Sequence, residues 1–314
     1  MDRREFLTTG AAAAAASMSV SQAYAQSATK SKSNRARFKL NYAPHHGHFK
    51  HHAGNDYIDQ VKFAADQGFT AWEDNGMPGR PVDLQKKIGQ TLQKLDMTMG
   101  VFVSFSGFGN TDFVTKTNKA YQDGLRKEMK KAVEVAKRVN AKWTTVVPAS
   151  VNQRLAPEYQ TANCIENLKV MAEVCEPEGL VMVLEPLNWY ANHPGLFLRG
   201  VPQAYQICKA VDSPSCKILD DLYHQQVDVG NLIPNMQKSW DEIDYIQVGD
   251  HPGRKEPLTG EINYRGIFKW LHDRKFKGII GMEHGKSLGG KKGEKRLIEA
   301  YRWCDSYDEP LLDV

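Results

Sequence analysis

Long apolar runs, a dominant sign of charge and closely paired cysteines are all missing from this chain. No stretch reaches the roughly 20 strongly apolar residues that a bilayer-crossing helix needs, which leaves no stable membrane span to expect. Lys and Arg number 41 against 37 Asp and Glu, a formal net charge of +4. Nucleic-acid binding calls for a concentrated basic face. The Lys/Arg positions of 125–138 fall instead on the polar side of one predicted helix, where a solvated face accounts for them. The five cysteines, Cys164, Cys175, Cys208, Cys216 and Cys304, show no C-x-x-C spacing. That speaks against a zinc site or a disulfide framework and for buried thiols, although an oxidising compartment would allow one pair to link. No internal repeat stands out beyond an alternation of strand and helix patterns.

The N-terminus does carry a targeting pattern. Asp2-Arg3-Arg4-Glu5-Phe6-Leu7 contains an arginine pair, Gly10 to Ala16 is a run of small residues, and Ala23-Tyr24-Ala25 has the form of a cleavage site. In this order the three read as a twin-arginine signal peptide over residues 1–25. Residues 26–36 read as a polar linker. The expected product is one exported, soluble domain over 37–314, delivered to the periplasm by the twin-arginine translocation machinery. Residues 1–25 hold two acids and two arginines, so the remainder keeps the +4 balance.

From residue 37 onward, short apolar runs alternate with amphipathic helical patterns. Strands are predicted over 37–43, 69–74, 97–105, 142–148, 180–187, 216–222, 244–249 and 278–284. Helices follow them over 55–67, 81–95, 122–140, 160–177, 201–212, 229–240, 263–275 and 291–306. Gly68, Gly179 and Gly278 stand where helices end, and Asp123 and Asn263 where two of them begin. Eight strand-helix units match a (β/α)8 TIM barrel of the α/β class. The rival is an open doubly wound sheet, which binds its ligand at a strand-order switch and does not explain four successive strands ending on polar groups. Val181 to Leu184 runs into Glu185, Ile218-Leu219 into Asp220-Asp221 and then His224, Tyr245-Ile246 into Gln247, and Ile279 to Met282 into Glu283. Such groups converge only if the strands close around an axis, with an oxygen-lined metal site at the barrel mouth.

Several segments resemble one family. They are Leu184-Glu185-Pro186-Leu187-Asn188, Asp221-Leu222-Tyr223-His224-Gln225-Gln226, Ile246-Gln247-Val248-Gly249-Asp250, Pro252-Gly253-Arg254-Lys255-Glu256-Pro257 with Thr259-Gly260-Glu261-Ile262-Asn263-Tyr264, and Gly281-Met282-Glu283. Together they resemble the hydroxypyruvate isomerases among the xylose-isomerase-like sugar isomerase and epimerase barrels. The resemblance covers most of 37–306 and is densest from 180 to 285. It implies that Glu185, Asp221, Gln247 and Glu283 hold one divalent metal ion. Four oxygen donors suit Mg²⁺ or Mn²⁺ with positions left for substrate oxygens. Many relatives place a histidine where Gln247 stands, and the amide is the isomerase-like choice. Singly, Glu185 or Glu283 would read as an ion-paired acid at a strand end, but gathered carboxylates repel and need a cation between them.

The resemblance gives His224 a contact to substrate oxygen beside the metal; otherwise it would cap the following loop. Arg254 reads either as a bidentate partner of a substrate carboxylate or enolate oxygen or as a surface-loop arginine. Glu256 is expected to hold Arg254 or its loop, and Glu261 to sit at the start of the next helix. Pro44 to His52 contains five of the ten histidines. A second transition-metal site competes there with an exposed tract of incidental metal affinity. The more economical expectation is that one or two of these histidines touch substrate, with Phe49 and Trp72 walling the pocket and Glu73 and Asp74 facing the mouth.

The implied chemistry is proton transfer between adjacent carbons through a cis-enediolate, with Glu185 and Glu283 each serving as metal ligand and as acid/base. The expected substrate is a hydroxy-keto acid, hydroxypyruvate giving tartronate semialdehyde, or a small keto sugar. Alternatives on the same barrel are a keto-sugar epimerase and a 3-keto-glycoside lyase or hydrolase. An endonuclease would need more His and Asp ligands and a basic face. A non-catalytic sugar-binding barrel would be expected to have lost a ligand. A homo-oligomer stays open.

Overall fold

The computed structural model describes residues 36–308; the expected signal peptide and residues 26–35 of the linker lie outside them. Nine strands fill the eight expected positions: β1 Asn41–Ala43, β2 Ala71–Trp72, β3 Thr98–Met99, β4 Val103–Ser106, β5 Trp143–Val147, β6 Val181–Leu184, β7 Cys216–Asp221, β8 Ile243–Gln247 and β9 Ile279–Gly281. β3 and β4 share the third position. Between them Gly100 donates its N–H to Trp72 O at 2.7 Å, and the Tyr245 hydroxyl fills the space that a Cβ at residue 100 would take.

All ladders are parallel, in the order β1-β9-β8-β7-β6-β5-β4, with β2-β3 as a separate pair. That pair joins the rest on both sides. Glu73 N–H donates to Pro44 O at 3.0 Å, His45 bridges Glu73, and Met99 bridges Ala141. The sheet therefore curls into a TIM-barrel-like fold.

Strand side chains alternate between the two faces of the sheet. Ala43, Ala71, Val101, Trp143, Val181, Val183, Leu219, Tyr245 and Ile279 form one buried cluster on the barrel axis. Tyr42, Trp72, Met182, Ile218, Ile246 and Ile280 belong to the larger core beneath the helices. The same alternation aims the residues at the strand ends. His45, Glu73, Glu185, Asp221 and Gln247 each stand two residues past an axial side chain, and Glu283 stands four past Ile279, so all six project at the mouth.

Helices Tyr57–Asp66, Val82–Lys94, Lys119–Val139, Pro157–Cys175, Val201–Val211, Tyr264–Asp273 and Gly290–Asp305 occupy their expected places. The differences have local causes. The long helix starts at Lys119 because Asn118 caps it, accepting the Tyr121 N–H at 3.1 Å; Asp123 lies inside the helix, paired with Lys119 and Arg126. Asn263 caps as expected, so Glu261 stands outside that helix, bonded to His251 and Gln226. The predicted helix 229–240 is the shorter Leu232–Lys238, and an unpredicted helix, Leu222–Asp228, comes before it because Asp221 caps that helix directly at its strand end. Gly278 keeps an ordinary φ. Lys275 makes the left-handed turn (φ 56°), and residue 278 must be small because a Cβ there would run into the Phe276 ring and the Asp244 carbonyl. All five cysteines are buried free thiols, and no described helix is long and apolar enough to cross a membrane.

Candidate active site

Glu185 follows β6, Asp221 closes β7, Gln247 closes β8 and Glu283 lies two residues past β9. Asp221 is divided between two tasks. Its Oδ1 caps the next helix by accepting N–H groups from Tyr223 (2.8 Å) and His224 (3.4 Å). Its Oδ2 lies 3.0 Å from Arg254 Nη2 and 3.6 Å from His224 Nε2. Arg254 Nη2 is also 3.2 Å from Glu283 Oε2, while its Nε donates to Glu283 O at 3.2 Å. The Arg254 side chain thus reaches into the mouth, so it is not a surface-loop residue. Asn75 Nδ2 donates to Glu283 Oε1 at 3.1 Å. Gln247 Nε2 donates to Glu73 Oε2 at 3.3 Å, and that oxygen also accepts the Tyr245 hydroxyl at 2.8 Å. Gly281 makes this possible, because a Cβ there would collide with the Glu73 carboxylate.

The donor set fits a hard divalent cation. Gln247 Oε1 is buried with no partner, and Glu283 Oε2 is buried with no hydrogen bond beyond its 3.2 Å ion pair with Arg254, so both have lone pairs to offer among crowded carboxylates. Burial, then repulsion from Glu283 and Asp221, holds the Glu185 carboxyl well above the usual carboxylate range. Burial also leads in lifting Glu283 to about 7, with Arg254 opposing the rise. Glu73 is pushed to about 8 by burial and then by the charge of Glu283. Glu185, Asp221 and His224 bring ligand-type atoms within 4.8 Å of one another, and among the described residues no other His, Cys, Asp or Glu group has this spacing.

These shifts set a direction for stability. An acid with a raised folded-state pKa binds more protons folded than unfolded, so its stabilisation is full below 4.5 and is lost as pH climbs through about 8. Buried histidines kept neutral act the other way, but only below 6.5; burial lowers His224 to about 4 and His284 to about 3. From 6.5 to about 8 the carboxyls act unopposed. Chelator-treated protein should therefore lose thermal stability as pH rises across this window, and excess Mn²⁺ should suppress the loss by binding the ionised form. A melting temperature in chelator that stays level or climbs over the same range would contradict the assignment.

Other expectations are redistributed. Phe49 packs on Phe63 and Phe69 in the core, and Trp72, of opposite parity to Ala71 and Glu73, turns away from the axis to donate to Tyr57 Oη at 2.8 Å. Neither walls the mouth. Asp74 shares the parity of Trp72 and is held by Arg80 and Tyr57. Glu256 pins Ser287 in the loop after β9 rather than Arg254. The histidine run is knitted into the fold. His48 accepts the His45 N–H at Nδ1 and donates through Nε2 to the His284 carbonyl. Buried Glu294 accepts the N–H groups of His51 and His52 and pairs with the His52 ring at 2.6 Å. Sequence reading missed Asn75 and Asn188 as neighbours of the site. Asn188 stands in the Leu184–Asn188 motif, but nothing local shows what its amide meets.

Comparison with known proteins agrees with this fold. The family described as "Xylose isomerase-like TIM barrel" matches residues 61–307. Hydroxypyruvate isomerase of Escherichia coli (strain K12) is 29% identical over 186 residues, covering 59% of this chain and 69% of the enzyme. 2-Oxo-tetronate isomerase of Pectobacterium atrosepticum is 26% identical over 238 residues, 74% of this chain and 89% of the relative. The match spans 50% to 66% of the length of four vertebrate putative hydroxypyruvate isomerases. Among solved structures, the apo form of 3-keto-D-glucoside 4-epimerase from E. coli superposes with a TM-score of 0.68 at 15% identity, covering 85% of this chain and 99% of that one. The chain belongs to the xylose isomerase-like TIM barrel family, among relatives that are isomerases.

Proposed function

We propose that this isomerase moves a proton between adjacent carbons of a hydroxy-carbonyl compound, interconverting aldehyde and ketone. The substrate we favour is hydroxypyruvate, giving tartronate semialdehyde, or a small keto sugar. One observation carries the reading: Glu185 and Glu283, both held above the usual carboxylate range, stand with Asp221 and Gln247 at one barrel mouth. Two carboxyls whose environments bring proton affinity toward neutrality are suited to take a proton from one carbon and return it to the next. A divalent ion held by Glu185, Asp221, Gln247 and Glu283, Mg²⁺ or Mn²⁺ by the donor chemistry, would supply carbonyl polarisation and charge stabilisation for the enediolate. Arg254, between Asp221 and Glu283, has further N–H groups for a substrate carboxylate or enolate oxygen. His224, kept neutral by burial, faces the same space as a partner for a substrate oxygen.

The test is direct. Purified, metal-reconstituted protein is incubated in D₂O with hydroxypyruvate, 2-oxo-tetronate and a panel of ketoses, and NMR follows product and solvent deuterium at the isomerising carbon. Turnover of a hydroxy-carbonyl compound supports the assignment; tight binding of a sugar with no turnover of any panel member replaces it with a binding protein. The keto-sugar epimerase reading draws on Phe108, which is 50% exposed and stacks on His193 at 5.2 Å. His193 in turn lies 5.4 Å from the His224 ring, so the three make an apolar wall on which ring carbons can pack.

Export belongs to the same proposal. Arg3 and Arg4 both replaced by Lys should leave the precursor in the cytoplasm, because the pair is read by a receptor and not by the bilayer. Unchanged periplasmic yield on fractionation would dismiss the twin-arginine route.

A further inference from the structure

Asn188 and His224 form a buried couple behind the mouth, 0% and 1% exposed. The orientation of the Asn188 amide is settled by backbone. Its Oδ1 accepts the N–H groups of Ala191 (3.0 Å) and Asn192 (3.2 Å), and a flipped amide would turn its own N–H onto both donors. Nδ2 must therefore point the other way, where one hydrogen goes to Asn192 Oδ1 at 3.0 Å and the other meets His224 Nδ1 at 2.6 Å. The Asn188 backbone N–H approaches the same ring nitrogen at 3.4 Å. Two N–H groups converging on Nδ1 require a lone pair there. The ring proton then sits on Nε2, which is 3.6 Å from Asp221 Oδ2 on the mouth side.

We propose that Asn188 is the positioning residue that holds His224 as the Nε2–H tautomer, making the imidazole a hydrogen-bond donor to a substrate oxygen and barring it from the metal. Neither ring nitrogen then has a lone pair for a cation, since Nδ1 is taken by Asn188 and Nε2 carries hydrogen. The close group of Glu185, Asp221 and His224 is thus two oxygen ligands beside a donor, and the ion is left to the four oxygen residues. An N–H aimed at the mouth is placed to stabilise negative charge developing on a carbonyl oxygen. It is unsuited to removing a proton from carbon, which keeps that task with the glutamates. The identity of the oxygen rests on the isomerase reading, whereas the tautomer does not.

Long-range ¹H–¹⁵N correlation on ¹⁵N-labelled, metal-free, substrate-free protein at neutral pH reads the tautomer. In the wild type the His224 proton should lie on Nε2. In Asn188→Asp, one carboxylate oxygen keeps the backbone bonds of Oδ1 while the other accepts from the ring and from an Asn192 amide turned to donate in place of its present acceptor contact, so the proton should move to Nδ1. The Nε2 lone pair then faces Glu185 and Asp221, so Zn²⁺ should gain affinity relative to Mn²⁺ in direct titration. Turnover of whichever substrate the wild type converts should fall by roughly 10²–10³-fold. A wild-type proton on Nδ1, or on both nitrogens, overturns the proposal, and so does a folded Asn188→Asp protein whose tautomer is unchanged. If that variant does not fold, the wild-type spectrum still decides. A protein that turns over nothing would remove the isomerase reading and leave the tautomer result standing.

Discussion

Metal-replete Glu283→Gln protein should turn over about 10²–10⁴-fold more slowly than wild type, with substrate affinity changed far less. The substitution is close to isosteric. The glutamine's one carbonyl oxygen can take the Oε2 position and remain an oxygen donor to a cation, while Asn75, which now donates to Glu283 Oε1 at 3.1 Å and whose Oδ1 has no partner, turns its amide to accept from the new NH₂. Arg254 keeps Asp221 as a partner at 3.0 Å. The basic carboxylate disappears, so the loss should fall on the rate constant and leave binding largely intact, the pattern of an interaction made in the transition state. Metal content must be measured in both proteins, because a ligand change can lower occupancy and imitate a chemical defect. Near-normal turnover in a fully loaded Glu283→Gln enzyme would take this residue out of the acid/base role and leave Glu185 as the candidate.

Removing divalent ions should lower turnover by at least about 10³-fold, the equivalent of the several kcal/mol that Lewis-acid stabilisation contributes. Re-addition of Mg²⁺ or Mn²⁺ should restore it. The expectation comes from the oxygens themselves: Gln247 Oε1 is buried without a partner, Glu283 Oε2 is buried with the Arg254 guanidinium at 3.2 Å, and Arg254 is the cation reaching between Asp221 and Glu283. One guanidinium does not neutralise Glu185, Asp221 and Glu283 together. Activity after dialysis against a strong chelator, followed by titration with each ion, measures this. Full turnover at a metal content far below one ion per chain would rule out a required ion.

The barrel and the direction of its mouth were legible in the primary structure because both rest on local periodicities. Strand side chains repeat every two residues and helix faces every 3.6, so Val181, Val183 and Glu185, or Leu219 and Asp221, line up on one face whatever surrounds them. The family resemblance then singled out Glu185, Asp221, Gln247 and Glu283, and the fold gathers them at one mouth. The third strand's break between β3 and β4 was not legible, since it depends on the Tyr245 hydroxyl reaching Gly100 from a strand far along the chain. The start of the long helix was misplaced because the Asn118 side chain caps it by accepting the Tyr121 N–H, while Asp123 is held inside the helix by Lys119 and Arg126.

Residues acting through a partner were the least visible. Glu73 was recognised as facing the mouth, but its grip on Gln247 spans 174 positions. Asn188 sits in the Leu184–Asn188 motif, yet its effect on His224 needs a loop to fold back so that two backbone N–H groups fix one amide oxygen. By itself the sequence determined which side chains point to the axis, because alternation is a property of the extended backbone. The tertiary structure alone decided which hydrogen-bond donor meets which acceptor. Those pairings join atoms remote in the chain, and their orientation comes from three-dimensional distance and direction, which no local pattern encodes.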